Sequence, residues 1–427
     1  MESRKGKLLL LCQHFYPEMI SSGILMTELC EELAGRGWDI TVCCAQPSLS
    51  LEQKNETVPR LMEYRGILIR RCRSWGSHGK GIFHRLVFAL SYLLFAAWTS
   101  LRNISDYDAL LVTTNPPFIG LPGLICRILT GRPYVQIVHD VYPDITIKLG
   151  VLKEKSPIAR IWGRLSSAIF RGADANIVLG RDMAEVIKSK IGTRNGAGKV
   201  ACIPNWSNER NVHPIPADRN SFRAEHNPQG LFTVQYAGRM SRTHNLEPLV
   251  DAADRLGEKG VLFQFIGDGA KKKLLMEMAV EKGLTNVQFL PYQPMEKLGE
   301  MISAADLSVV CLESFYTGLS VPCKSYGLMA AGRPVLGFLD PKGEIAGMIR
   351  ENDCGVVLSD PDGEQVSRVV AELINDPDKL ARMGMNGYKA FLSKYTLSIA
   401  VDRYEAVIRK ALPKIWYPSN PELRVSP

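Results

Sequence analysis

One rhythm runs through this chain twice: a short apolar run, a turn, then a stretch whose apolar residues recur at helical spacing. In the first series, residues 8–12 read as a strand. Residues 22–35 (SGILMTELCEELAG) read as a helix that stops at a glycine, and 38–44 as a second strand. Further strands are expected at 109–113, 134–139 and 174–179. The rhythm breaks between Pro204 and Gly230, a polar stretch that also holds Pro214, Pro216 and Pro228. It then restarts, with strands at 232–237, 262–266, 287–289, 307–311 and 334–337. Strands separated by helices pair in parallel, because a parallel crossover needs room for a helix. Two such series predict an α/β protein of two Rossmann-like domains. Ligands are then expected outside the carboxyl ends of strands, in a cleft where the two domains face each other.

The chain's 427 residues exceed one ordinary core and suit two domains of roughly 200 residues each. With 46% hydrophobic and 22% charged residues, disordered and fibrous classes are excluded over most of the length. The formal charge of +8 is modest, so its location matters more than its size, and it calls for no nucleic-acid partner. Ten cysteines lack any pairing pattern and read as reduced, mostly buried thiols. The early apolar run LLLLC is too short for a signal-peptide core. A cytoplasmic location is the expectation.

One stretch fits a soluble domain poorly. Residues 86–101 (LVFALSYLLFAAWTSL) carry no charge and lie between Arg85 and Arg102. A spanning helix needs about 20 residues, so this one is short. Before it, Arg65, Arg70, Arg71, Arg73, Lys80 and Arg85 follow one another with no acid between. A basic segment beside a very apolar helix suits an anionic membrane surface, and peripheral contact with the inner face of the cell membrane is expected from 65–101. A core helix behind a solvated basic loop, or a true span, are the alternatives.

Chemistry-bearing residues cluster after the expected strands. The loop after the first strand, Tyr16-Pro17-Glu18-Met19-Ile20-Ser21-Ser22-Gly23, leads into a helix, where small residues such as Ser22 and Gly23 let main-chain N–H groups approach an anion. An ordinary capped turn is the plainer reading. His139 and Asp140 end another strand; a histidine there can bond a sugar hydroxyl and a carboxylate can take a proton, or both are simply buried or capping. Arg239, Arg242 and His244 lie in a glycine-containing loop and can neutralise a diphosphate, the arginine fork binding two oxygens at once. Lys271, Lys272 and Lys273 follow the turn Gly267-Asp268-Gly269, where one lysine can reach a phosphate while runs of lysine are usually solvated. The segment from Leu312 to Val335 holds a long polar loop and then a helix expected from about Pro322. There the amides of Gly318, Leu319 and Ser320 are expected to seat a leaving diphosphate.

Taken in order, YPE…SSG, VHD, IPNW, AGRMSRTHNLEPLVDAA, FIGDG, LPYQPMEKLGEMISAADLSVV and GLSVPCKSYGLMAAGRPVL resemble glycosyltransferase family 4, nearly end to end. The members of that family are retaining enzymes of the GT-B fold. Within it the chain is most like the colanic-acid and O-antigen type, on Ile203-Pro204-Asn205-Trp206, Arg242-Thr243-His244 and Pro322-Cys323-Lys324. The resemblance implies that His139 contacts the donor sugar and Arg239 the donor phosphates. It implies that His244 stands where the family has a phosphate-binding lysine, with Arg242 compensating, and that Lys272 is the basic residue after the G-D-G turn. The family's second glutamate, which holds the ribose, is here Gly327, leaving Glu313, Ser320 and Lys324 as substitutes.

The same resemblance implies front-face transfer with retention, catalysed through His139, Arg239 and Asp140. The co-substrate is a nucleotide sugar, UDP-sugar favoured over GDP-sugar, with no further cofactor and no metal. The acceptor is expected to be a lipid-diphosphate-linked saccharide. The domains are expected at 1–205 (acceptor) and 206–397 (nucleotide sugar), with 398–427 forming a helix that returns to the first domain and a tail. Two rivals stay open: another two-Rossmann enzyme such as a sugar-nucleotide epimerase or a phosphorylase, and a non-catalytic scaffold that kept the fold.

Overall fold

The structure of the chain is a computed structural model that describes residues 5–18, 21–47, 58–72, 82–192, 197–257 and 259–412. The chain divides into two compact units. The first comprises Met1–Leu179, Ala184–Ile203 and residues from Val401 on; the second comprises Gly180–Met183 and Pro204–Ala400.

In the first unit an eight-stranded sheet has the order β3-β4-β2-β1-β5-β6-β7-β8. Its strands are β1 (Lys7–Leu11), β2 (Asp39–Cys44), β3 (Leu61–Tyr64), β4 (Ile67–Arg71), β5 (Ala109–Thr113), β6 (Tyr134–Val138), β7 (Ala175–Val178) and β8 (Val200–Cys202). All pairs are parallel except the β3–β4 hairpin. Every residue of β5 and β6 is buried, as a strand in a parallel sheet covered on both faces must be. The helices are α1 (Ser21–Gly35), α2 (Ile82–Asn103), α3 (Gly120–Thr130), α4 (Asp144–Lys148), α5 (Pro157–Gly172) and α6 (Arg181–Ile191), whose first residues, up to Met183, belong to the second unit.

The hairpin corrects the reading of residues 65–85 as a continuous basic segment. Arg70 and Arg71 belong to β4. Arg71 is buried, its guanidinium donating to the carbonyls of Pro59 (2.9 Å) and Tyr16 (2.6 Å). Arg65 holds the hairpin turn at φ 48° and pairs with Glu31 at 2.7 Å. The buried guanidinium of Arg71 is not available to a lipid headgroup. Arg73, Lys80 and the side chain of Arg85 lie outside the described residues.

α2 is longer than its uncharged run and has two characters. Phe88, Tyr92 and Ala96 enter the core, where the Tyr92 hydroxyl donates to the Cys43 carbonyl at 2.9 Å. The other face leaves Leu90, Leu94 and Trp98 more than half exposed.

The second unit carries a six-stranded parallel sheet of order β11-β10-β9-β12-β13-β14. Its strands are β9 (Phe232–Ala237), β10 (Val261–Ile266), β11 (Val287–Leu290), β12 (Leu307–Cys311), β13 (Val335–Phe338) and β14 (Gly355–Leu358). The helices continue as α7 (Ser221–His226), α8 (Glu247–Arg255), α9 (Lys272–Glu281), α10 (Leu298–Ser303), α11 (Lys324–Ala330), α12 (Glu344–Glu351), α13 (Gly363–Ile374) and α14 (Pro377–Lys394). The last helix, α15 (Leu397–Ala411), ends in the first unit. There buried Glu405 accepts hydrogen bonds from Lys5 (3.0 Å), Trp38 Nε1 (3.2 Å), Arg36 (3.2 Å) and Arg409 (3.1 Å). Burial alone would raise its pKa, but these donors outweigh burial and hold it down at about 2. The tail beyond Leu412 lies outside the described residues.

Candidate functional site

The strand order places a switch point in the second sheet. From β9 the chain adds β10 and β11 on one side, then returns to add β12, β13 and β14 on the other. Loops leaving the carboxyl ends of β9 and β12 therefore diverge and open a crevice. The loops after β9 and β10 are knitted together by main-chain bonds: Gly238 N to Ile266 O (2.8 Å), Met240 N to Asp268 O (2.8 Å) and Lys271 N to Met240 O (3.0 Å). Glycine is needed for that approach. A Cβ on Gly267, at φ 129°, would lie 2.2 Å from the Gly238 carbonyl oxygen.

The cations here divide into engaged and available groups. Lys271 is engaged with Glu247 at 2.7 Å, and Lys272 donates to the Gly267 carbonyl at 3.0 Å. Arg239 and Arg242 are exposed and make no ion pair among the described residues. Lys324, the first residue of α11, differs from all of these. Its ammonium sits 3.8 Å from the centre of the Tyr236 ring, next to Gly238, and has no carboxylate partner among the described residues. Desolvation pushes its pKa down to about 8, only partly offset by Cys311 and Cys323.

His244 does not act as a second cation. Its Nδ1 lies 2.7 Å from the Tyr236 hydroxyl, which donates to the Arg239 carbonyl at 2.7 Å. Burial first, then the positive charge of Lys324, push its pKa down to about 4. The ring is neutral at neutral pH and buttresses the Arg239 loop. Tyr236 is thus a residue the sequence reading missed: it carries Lys324 on its face and the Arg239 loop on its hydroxyl. An aromatic at a strand's last turn gave no signal of that role.

The expected diphosphate seat at 318–320 is also corrected. α11 begins at Lys324, after a single 3-10 turn at Ser314–Tyr316, and not at Pro322. The Gly318 amide donates to the Asp182 carboxylate at 3.1 Å, and those of Leu319 and Ser320 donate to the Tyr316 carbonyl at 2.8 and 3.2 Å. All three are satisfied within the protein. Asp182, also missed, accepts the Glu344 amide at 3.1 Å as well. Ser320 and Thr317 border an open hollow, with about 290 Å³ of empty space including solvent at its mouth, whose polar wall includes Asp182, Asp340 and Glu344. Carboxylates repel a phosphate and accept from hydroxyls. Glu313 opens this loop, and burial raises its pKa while Lys271 opposes the rise.

In the first unit, His139 and Asp140 follow β6, and both their amides donate to Thr114 Oγ1 at 3.1 Å. The His139 ring is buried, its Nε2 has no partner among the described residues, and desolvation pushes its pKa down to about 4. It is a neutral imidazole, able to exchange a hydrogen bond with a hydroxyl. Asp140 is half-buried at the edge of a second cavity. Ser22 and Gly23 fall in the first turn of α1; a Cβ on Gly23 would sit 2.8 Å from the Glu18 carbonyl oxygen, so close packing of the loop accounts for that glycine.

Residues 22–209 match the family described as Glycosyltransferase Family 4, and residues 218–390 match Glycosyl transferases group 1. The chain is 29% identical over 305 residues to "Probable glycosyltransferase WbjE" of Pseudomonas aeruginosa, covering 71% of this chain and 75% of that one. It is 25% identical to "Putative colanic acid biosynthesis glycosyl transferase WcaI" of Escherichia coli (strain K12), covering 76% and 81%. Among solved structures, sucrose-phosphate synthase from Thermosynechococcus elongatus superposes with a TM-score of 0.76 at 18% identity, over 95% of this chain and 98% of that one. Anabaena HepE in complex with UDP and glucose superposes with a TM-score of 0.69 at 16% identity, over 95% and 99%.

Proposed function

Because the chain belongs to the GT-B glycosyltransferases, with a family 4 first half and a group 1 second half, we propose that it moves a sugar from a UDP-sugar, with retention, to a saccharide carried on a lipid diphosphate. The observation that carries this reading is Lys324: a half-buried ammonium without a carboxylate partner among the described residues, at the switch point of the second sheet. An uncompensated buried cation is costly, and an arriving diphosphate supplies the missing anion. Arg239 and Arg242 add charge from the facing loop, and their forks suit paired phosphate oxygens. As the sugar–phosphate bond breaks, negative charge grows on the leaving oxygens, and preplaced cations stabilise that state most. The departing phosphate takes the acceptor hydroxyl's proton on the same face of the sugar, which gives retention. Neutral His139 orients a donor-sugar hydroxyl, and Asp140 assists at the acceptor. The description of WcaI as a colanic acid biosynthesis glycosyl transferase and the UDP bound to HepE support a polysaccharide pathway and a UDP donor.

The lipid-borne acceptor draws support from the first unit's surface. α2 packs on α3, and α3 on α5. The three helices together contain no aspartate or glutamate. They expose Leu94, Trp98, Ile128, Leu129 and Ile161, with Arg160 and Arg164 exposed on α5 and Arg102 stacked over Trp98 at 5.8 Å. An apolar face edged by unopposed arginines fits an anionic bilayer surface. The test is a panel of UDP- and GDP-sugars with a lipid-diphosphate sugar as acceptor, following release of nucleoside diphosphate and the anomeric configuration of the product by NMR. Acceptor-dependent release of UDP, an α-product from an α-donor, and loss of about a hundredfold in rate with Arg239→Ala or His139→Ala are expected. Free sugar without acceptor dependence, or an inverted product, overturns the reading.

A further inference from the structure

The second cavity is an open hollow in the first unit at the carboxyl ends of β5 and β6, between the start of α3 and the middle of α5, with about 340 Å³ of empty space including the solvent at its mouth. Its apolar wall is aromatic. Trp162 of α5 lies nearly parallel to Tyr142 (6.2 Å between centroids, 13°) and packs against Phe118 at 4.8 Å. Phe118 holds φ 72°, a left-handed conformation that a bulky residue adopts only when its surroundings demand it.

The polar groups of the cavity carry no positive charge among the described residues. Gln136 is 1% exposed; its Nε2 donates to the Thr113 carbonyl at 2.8 Å, while its Oε1 is buried with no partner among the described residues. Ser166 commits its hydroxyl proton to the Tyr142 carbonyl at 2.7 Å. Asp140 brings a carboxylate, and no lysine, arginine or histidine among the described residues lines the space. A guest therefore meets acceptors at Gln136 and Asp140, and the hydroxyl of Thr114, which accepts the amides of His139 and Asp140 and keeps its own proton to donate. Phosphates and carboxylates are excluded by the lack of a lining cation and by Asp140. A plain hydrocarbon would leave Gln136 Oε1 unsatisfied, which is what buried polar atoms avoid. A pyranose satisfies both halves: its C–H face covers an aromatic ring and its hydroxyls or acetamido N–H donate outward.

We propose that this cavity binds a neutral sugar ring, stacked on Trp162, that donates a hydrogen bond to Gln136 Oε1. The proposal gives the saccharide acceptor of the transfer a seat, and rests on that reading for what the sugar is for. The test is saturation-transfer NMR on the full chain with the methyl glycosides of glucose, N-acetylglucosamine and fucose, and with UDP in the same tube as a reporter of the second unit. Transfer to the ring protons of at least one sugar is expected, lost in Trp162→Ala, kept in Trp162→Phe, and weakened about tenfold in Gln136→Met, while UDP signals stay unchanged in every variant. If Trp162→Ala does not fold, the buried, near-isosteric Gln136→Met decides. UDP binding with no sugar in the panel bound, or sugar binding indifferent to both positions, overturns the proposal and leaves the donor reading intact. Sugar bound through Trp162 without UDP binding sustains the proposal and removes the donor reading.

Discussion

Replacing Lys324 by methionine is expected to move two measurements in opposite directions. Burial lowers the folded-state pKa of this lysine from its ordinary 10.5 to about 8. The charged form is therefore disfavoured in the fold, and the unfolded chain binds the extra proton between those values. The cost to stability is complete below about pH 8 and fades as pH climbs toward about 10.5. A shift of that size corresponds to about 3 kcal/mol, and to about 2 kcal/mol after allowance for partial exposure. Methionine keeps the contact with the Tyr236 ring and carries no charge. At pH 7 the ligand-free variant is expected to melt about 4–8 °C higher, in a unit of roughly 200 residues. Its affinity for a UDP-sugar is expected to fall about 10- to 100-fold, the worth of one charged hydrogen bond. The pH profile separates this from general damage. A diphosphate diester does not titrate near neutrality, and His244, at about 4, is already neutral. Parent affinity then drops about tenfold per unit above pH 8, because the free lysine must first be protonated, while Lys324→Met gives a flat line. Differential scanning fluorimetry and calorimetric titration between about pH 6.5 and 9.5 read both effects. A variant that melts lower than its parent, or that keeps the parent's slope, refutes the reasoning.

Three further outcomes are expected from other parts of the structure. Gly267→Ala is expected to abolish UDP-sugar binding with the sheet intact by circular dichroism, since its Cβ would sit 2.2 Å from the Gly238 carbonyl oxygen and push the Arg239 loop aside; unchanged affinity counts against the knitted loops as the site's frame. Glu405 has a folded pKa of about 2, below its ordinary 4.5, so its stabilisation is present above about pH 4.5 and lost as pH falls toward 2. Glu405→Gln is expected to cost about 2–3 kcal/mol at pH 7 and to flatten the acid limb of a urea-melt series, an unaltered limb being the contrary result. The double variant Leu94→Glu, Trp98→Glu is expected to lose most of its co-sedimentation with anionic vesicles while turning over a water-soluble acceptor normally; undiminished co-sedimentation removes the α2 face from the membrane reading.

The strand–helix rhythm made both sheets legible because a parallel sheet buries its strands completely, and buried strands are written as unbroken apolar runs such as Leu8–Leu11 and Tyr134–Val138. The β3–β4 hairpin escaped for the opposite reason. Its sequence, LMEY-RG-ILIRR, alternates weakly and carries arginines, and only the fold shows that Arg71 finds two carbonyls to satisfy it. What was legible of the candidate site is position alone: Arg239, His139 and Asp140 follow strands, and strand ends are where such folds bind. What stayed hidden was pairing. Nothing local to Gly318 says that its amide is taken by Asp182, more than a hundred residues earlier in the chain. Nor does Tyr236 announce that it will support Lys324 across two strands.

That pairing bears on whether the chain is an enzyme or an inert scaffold. The two features that argue for loss of function are His244, in place of a phosphate-binding lysine, and Gly327, in place of a ribose-holding glutamate. Gly327 is not forced by packing, since a Cβ there meets Ile302 and Ser207 at ordinary distances of 3.5 and 3.9 Å. His244 is neutral, yet the Tyr236 side chain that bonds it through its hydroxyl also carries the ammonium of Lys324 on its ring, which keeps a positive charge beside the loop after β9. A scaffold gains nothing from such a lysine. It costs the fold about 2 kcal/mol, and any apolar side chain of its length would relieve that cost. Lys324 is half-buried on the Tyr236 ring with no carboxylate partner among the described residues, and under the proposed function the missing anion is a diphosphate that comes and goes.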